Sequence, residues 1–277
     1  MRRYIRGVAL HLVLLLATLF FIFPILWSIN MSLKADSEIY SRPSIELAQN
    51  PQWGNYIRIW GEANFTLYMR NSFVVCASVV VLDLVVGSLA GYAFARMKFR
   101  GSGLLFSTLI GCLTIPVLLV LVPLFNILKT LGMLNTLAAV IFPSVAIGVP
   151  FCVLMLRGFF VSLPSELGDA ARVDGCTEFQ LFWRIYLPLA APALGALAAI
   201  EFVWTWNDFL LALAFLGSEE VRTFTLGLVY YVSYIGGTGI FNLRFVALNI
   251  AIIPQMVAFV LFQKYLLKGM IAGAVKG

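Results

Sequence analysis

The sequence predicts an all-α, polytopic membrane protein with six transmembrane helices. Three observations carry that prediction. Of 277 residues, 61% are hydrophobic and 12% charged, and mean hydropathy is +0.96, a balance foreign to soluble globular domains. The apolar residues gather in six runs, each near the roughly 20 residues that cross a bilayer. Within each run the apolar character is continuous, which fits helices and not the alternating strands of a membrane β-barrel.

The runs cover about 8–31, 73–95, 104–128, 137–156, 189–216 and 245–267. The first follows Arg2, Arg3 and Arg6. It is too long for a secretion-signal core and has no small-x-small cleavage pattern after it, so it reads as a retained span. The segment 32–72 carries Trp53, Tyr56, Trp60, Phe65 and Tyr68. It is either an amphipathic piece at the outer interface or a cover for the mouth of the bundle. Pro43 and Pro51 interrupt any long helix in its first half. The short loop 96–100 holds Arg96, Lys98 and Arg100, whereas 128–135 holds only Lys129. Positive charge marks the cytoplasmic side, so both termini face the cytoplasm. The same placement accounts for the net charge of +6 without a nucleic-acid partner. The outer segment 217–242 holds Glu219, Glu220, Arg222 and Gly236-Gly237-Thr238-Gly239, whose glycines mark a mobile loop or tight turns; it is either a simple connection or a contact for a delivery protein. The organisation is then a first helix with an external segment (1–67), a core (68–268) and a cytoplasmic tail (269–277).

The core is interrupted by a polar break at 157–188. Pro164-Ser165-Glu166 opens a helix with Ser165 as cap and Glu166 in the first turn. It runs through Asp169-Ala170-Ala171, and Gly175 terminates it in a left-handed conformation. Thr177-Glu178-Phe179-Gln180 has capping-box spacing and starts a second helix carrying Phe182, Ile185 and Leu187 into Pro188. Ala170 and Ala171 permit close backbone approach, and Asp169 and Asp174 offer charge. Either a partner docks on this two-helix elbow or it is a solvated amphipathic loop.

Three acids fall inside the apolar runs: Asp83, Glu201 and Asp208. Charge there is costly and marks candidate functional positions. Glu201, Trp204 and Asp208 share one helical face at i, i+3 and i+7. Trp204 offers a sugar-stacking surface, and the acids with Asn207 offer partners for hydroxyls. The alternative is that the acids tie neighbouring helices together. Asn249 and Gln255 are further polar candidates in the sixth run. No GxxxxGK[ST] phosphate loop occurs, and the single histidine, His11, lies in the first run, so no catalytic set is expected. Cys76, Cys112, Cys152 and Cys176 lack metal-ligand spacing.

Asp169-Ala170-Ala171, Gly175 and Ile185-Tyr186-Leu187-Pro188 together resemble the signature loop of binding-protein-dependent ABC importer permeases, with Asp169 where that family usually has Glu. Ala90-Gly91-Tyr92-Ala93-Phe94-Ala95-Arg96, Leu131-Gly132-Met133-Leu134-Asn135-Thr136, Trp206-Asn207-Asp208-Phe209-Leu210 and the terminal Gly273-Ala274-Val275-Lys276-Gly277 are similar to the carbohydrate-uptake branch. The resemblance implies the type I permease fold and a complex in a prokaryotic cytoplasmic membrane. Its other members would be a second permease, two cytoplasmic ATPases that bind ATP and Mg, and an external solute-binding protein. The ATPases would grip Glu166, Asp169, Ala170, Ala171, Asp174, Gly175, Ile185, Leu187 and Pro188. A sugar would pass Glu201, Trp204, Asn207, Asp208 and Asn249. The rival readings are a glycerol-phosphate or polyol importer of the same architecture, an ion-coupled transporter using Asp83, Glu201 and Asp208, and a membrane scaffold.

Overall fold

The computed structural model describes residues 2–41, 45–62, 64–234 and 241–274. Every regular element among them is helical. In chain order these are α1 (Arg2–Leu33), α2 (Asp36–Ser41), α3 (Gly54–Glu62), α4 (Phe65–Arg96), α5 (Ser102–Cys112), α6 (Val117–Thr130), α7 (Ala138–Ser162), α8 (Glu166–Val173), α9 (Glu178–Leu181), α10 (Leu187–Leu189), α11 (Ala191–Trp206), α12 (Leu210–Phe215), α13 (Phe224–Tyr234) and α14 (Phe241–Ala274). A single π-helical turn, Phe182–Tyr186, joins α9 to α10.

Four helices are individually long and apolar enough to cross a membrane: Gly7–Leu33, Phe65–Arg96, Ala138–Ser162 and Phe241–Tyr265. Among the described residues two bent helix pairs also pass this test, which gives up to six crossings. The run at 104–128 is not one straight span. α5 and α6 meet at 99° across Leu113–Pro116, where Pro116 is extended at ψ 133° and cannot donate to the preceding turn. The run at 189–216 also divides. α11 stops at Trp206 and α12 restarts at Leu210, and the turns before α11 meet it at 71°. The segment 217–242 is not wholly loop, because Phe224–Tyr234 is an apolar helix; its glycine cluster at 236–239 lies outside the described residues. The amphipathic piece expected in 32–72 is α3, which buries Ile59 fully. Pro43 and residues 275–277 of the terminal motif also lie outside the described residues.

The chain forms two compact units. One comprises Met1–Thr66 with Gly227–Pro254, the other Leu67–Leu226 with Gln255–Gly277. In the first, Asn249 on α14 accepts from Ser28 Oγ at 2.7 Å and donates to Tyr56 Oη at 3.1 Å. Asn242 donates to the Lys34 carbonyl at 3.1 Å. In the second, α4 and α7 approach closely through Gly87-x-x-x-Gly91. A Cβ at Gly87 would lie 2.7 Å from Cys152 Cβ, and one at Gly91 would lie 3.0 Å from the backbone nitrogen of Arg157. Small residues at such spacing let membrane helices gain packing contact where no hydrophobic drive separates protein from lipid. Among the described residues the apolar core here includes two clusters. One, around Val79, Leu128, Val140 and Phe215, joins α4, α6, α7 and α12. The other, around Tyr92, Leu156, Phe160, Leu181 and Tyr186, joins α4 and α7 to the elbow.

The turn between α6 and α7 contains the Leu131–Thr136 motif. Gly132 and Asn135 both take positive φ, 67° and 61°. Asn135 then holds the end of α12: its backbone N–H donates to Phe215 O at 2.8 Å, and its Oδ1 accepts from Gly217 N at 2.9 Å and Ser218 N at 2.8 Å.

Candidate functional site

The elbow forms as its residues demand. Gly175 adopts φ 83°, and Gly175 N and Cys176 N close on the carbonyls of Arg172 and Ala171 at 3.0 Å each. These bonds satisfy acceptors that a helix end otherwise leaves open. The capping box is present: Gln180 N donates to Thr177 Oγ1 at 3.3 Å, and Thr177 N donates to Gln180 Oε1 at 2.9 Å. Ser165 occupies the cap position of α8, but its side chain makes no capping bond. Its φ and ψ of −69° and −30° are already helical, which turns the hydroxyl away from the N–H groups that an extended cap residue would reach.

α8 has two unlike faces. Glu166, Asp169, Ala170 and Asp174 are exposed. Gly168 and Ala171 are buried, with Ala171 in the cluster of Tyr92, Phe160 and Tyr186. Ala171 therefore gives close approach to the protein's own core, and of the two alanines only Ala170 offers it outward. Ile185 and Leu187 pack partly buried on the same cluster, while Pro188 is exposed. Asp169 Oδ1 lies 3.1 Å from Arg172 Nη1. Arg172 Nε lies 2.9 Å from Glu178 Oε1. This bond, more than the partial burial that opposes it, holds the Glu178 carboxyl below the usual glutamate range; the Tyr92 hydroxyl acts the same way.

The second candidate is a cleft of about 270 Å³ within the Leu67–Leu226 unit, lined by α6, α7, α11 and α12. Glu201, Trp204 and Asp208 all line it, beside Ser144, Gly148 and Thr205. Trp204 is 54% exposed and leans on Phe151, ring centroids 5.0 Å apart. Asp208 lies just past the end of α11 and caps α12, its two oxygens accepting from Leu211 N at 3.4 Å and Ala212 N at 3.3 Å. Asn207 is not a lining residue; it pairs with Gln255 through reciprocal bonds of 3.0 and 3.2 Å. Asn249 is likewise absent from the lining and belongs to the Ser28–Tyr56 network described above.

Two buried acids meet here, Glu201 on the cleft lining and Asp83 beside it. Glu201 is 3% and Asp83 0% exposed. Neither Asp83 oxygen has a hydrogen-bond partner of good geometry among the described residues. Glu201 Oε1 accepts from Cys152 Sγ at 3.4 Å. Gly148 makes the space: a Cβ there would overlap Asp83 Oδ2 and lie 3.2 Å from Glu201 Oε2. The sequence marked both acids, but not the glycine of α7 that admits them to one point.

A family model described as binding-protein-dependent transport system inner membrane component matches residues 84–272. The sulfoquinovosyl glycerol transport permease of Agrobacterium fabrum is 33% identical over 92% of this chain and 89% of its own length. The trehalose/maltose transport permease of Thermococcus litoralis is 32% identical over 92% of each. The arabinooligosaccharide transport permease of Bacillus subtilis is 32% identical over 98% of this chain and 96% of its own length. The fold matches a chain of a bacterial ABC transporter involved in import of the acidic polysaccharide alginate. The TM-score is 0.77 and identity 21%, over 95% of this chain and 96% of that one. The polar elbow between apolar spans, the broken fifth crossing and these matches agree: the chain belongs to the binding-protein-dependent transport system inner membrane components, the permeases of ABC importers.

Proposed function

We propose that the protein is one of two permease subunits in an importer that moves a sugar into a prokaryotic cell across its cytoplasmic membrane. Both termini face the cytoplasm. Two partner ATPases bind ATP with Mg and hydrolyse the ATP, as the sequence of this chain holds no GxxxxGK[ST] loop, and an external binding protein delivers the solute. The observation that carries this reading is the two-faced α8. One face is fastened to the bundle, and the other leaves Glu166, Asp169, Ala170 and Asp174 exposed among the described residues. Closure of the ATPase dimer would move that face and tilt the spans between two states.

The sugar assignment rests on the curated relatives, which include transporters of disaccharides and oligosaccharides, and on the cleft. Trp204 gives a flat apolar surface for a pyranose, and Glu201, Thr205 and Ser144 give hydroxyl partners. The cleft is lined by two acids and no basic residue, which favours a neutral sugar over the glycerol-phosphate alternative. The test is uptake of labelled neutral sugars, polyols and glycerol phosphate into vesicles containing the full complex, with and without ATP. ATP-dependent uptake of a neutral sugar is expected. Uptake of glycerol phosphate alone, or flux at full rate without ATP, would refute the proposal.

A further inference from the structure

We infer that Tyr92 and Glu178 latch α8 to the last turns of α4, so that the elbow drives the second span as a rigid extension of itself. The inference rests on the proposal that ATPase subunits dock on α8.

The chain changes direction on either side of α8. Leu163 is extended at ψ 147°, and Gly175 is a left-handed joint. Side-chain contacts therefore add to the backbone in carrying force from α8 to the spans. The Glu178 carboxylate supplies two of them. Its Oε1 accepts from Arg172 Nε on α8 at 2.9 Å, and its Oε2 accepts from Tyr92 Oη on α4 at 2.9 Å. One carboxylate thus spans both helices with two charge-assisted bonds, which are directional as apolar packing is not. The Tyr92 ring is held in place by Phe160, Phe182 and Tyr186, at centroid distances of 5.8, 5.3 and 5.2 Å.

Arg96, one turn along α4, fixes the same assembly from the other side. Its Nη2 donates to Phe160 O at 2.6 Å and Leu163 O at 2.5 Å, carbonyls at the open end of α7. Its guanidinium also lies 5.0 Å over the Tyr186 ring. Gly168 completes the contact by letting α8 rest on the Tyr186 hydroxyl. The end of α4 is therefore tied to α7 and to both helices of the elbow. Tyr92 and Glu178 act here as positioning residues, through Arg172, and not as docking residues.

The test uses the full complex. Spin labels are placed at Val173 and Met97, both exposed, after replacement of the four native cysteines. Pulsed electron paramagnetic resonance then measures the distance between them, nucleotide-free and trapped with ATP and vanadate. The latch predicts one narrow distance, the same in both states. Tyr92→Phe and Glu178→Gln should make it differ between the states, and the swapped pair Arg172→Glu with Glu178→Arg should restore it. A state-dependent distance in the unsubstituted chain would overturn the inference, as would single variants that keep it narrow and constant. Co-purification of the ATPases with an Ala170→Trp variant tests the docking proposal separately: loss supports docking, and retention overturns it whatever the distances show.

Discussion

Gly168→Ala sets two effects of known sign against each other. Alanine raises helix propensity by about 1 kcal/mol over glycine in a helix interior, and an exposed site would gain most of that. Gly168 is buried, however, and its Cβ would lie 2.7 Å from the Tyr186 hydroxyl and 3.4 Å from Arg172 Nη1. Ordinary contact requires a withdrawal of about 0.7 Å or more. Tyr186 is 1% exposed, with Tyr92 at 5.2 Å and Phe160 at 6.3 Å around its ring, so α8 must give way. Overpacking of this kind costs about 1–3 kcal/mol, which exceeds the propensity gain. The variant should insert and bind its partners, yet transport clearly less solute per ATP hydrolysed, because α8 is lifted from the core that steers it. The assay is uptake and ATP hydrolysis measured on the same vesicles, with a thermal melt of the complex. A variant with unchanged uptake per ATP and an unchanged or higher melting temperature would refute the reasoning.

Other outcomes follow from the same geometry. Gly175→Ala forces a side chain into φ 83° at a cost of about 1–2 kcal/mol, and uptake should fall while membrane insertion, read by fractionation, stays normal. Trp204→Ala or Glu201→Gln should change the order of preference in a sugar panel, and an identical order would remove the cleft from the path. Asn135→Ala removes the acceptor shared by the Gly217 and Ser218 N–H groups at an exposed site, where water can replace it, and holds alanine at φ 61°; the backbone strain costs about 1–2 kcal/mol, seen as a lower melting temperature. The Glu178 carboxyl is held low chiefly by Arg172. Its contribution is therefore complete above the unfolded glutamate range, near pH 4.3 or so, and lost as pH falls through the lower folded value. Limited proteolysis of the elbow should be flat from neutral pH to about pH 5 and accelerate only in stronger acid.

The spans, the elbow and its glycine terminator were legible because each has a local cause: run length for a crossing, a positive φ for Gly175, capping-box spacing for Thr177–Gln180. Hydropathy carries no direction, so it could not show that 104–128 turns through 99° or that 189–216 stops at Trp206. Pro116 was the available signal for the first break. The π turn at Phe182–Tyr186 has no residue signature. Glu201 and Asp208 stood out as charges inside an apolar run and Trp204 by its spacing from them, and all three line the cleft. Tyr92 and Glu178 were beyond reach of any such pattern, since they stand 86 positions apart and meet only after the core has formed. The two alanines of the signature look alike in sequence, yet one faces out and the other in, a distinction that only the helix's orientation supplies.

α1 differs from the other crossings: over the apolar window that qualifies it to span a bilayer, none of its residues is buried among the described residues. Among the described residues Leu12 and Phe20 stay 58% and 76% exposed. Exchanges among leucine, isoleucine, valine and phenylalanine along that stretch should leave internal architecture untouched. Any intolerance found there by saturation mutagenesis would have to be imposed by lipid or by a companion molecule, which makes that helix a ready reporter of neighbours.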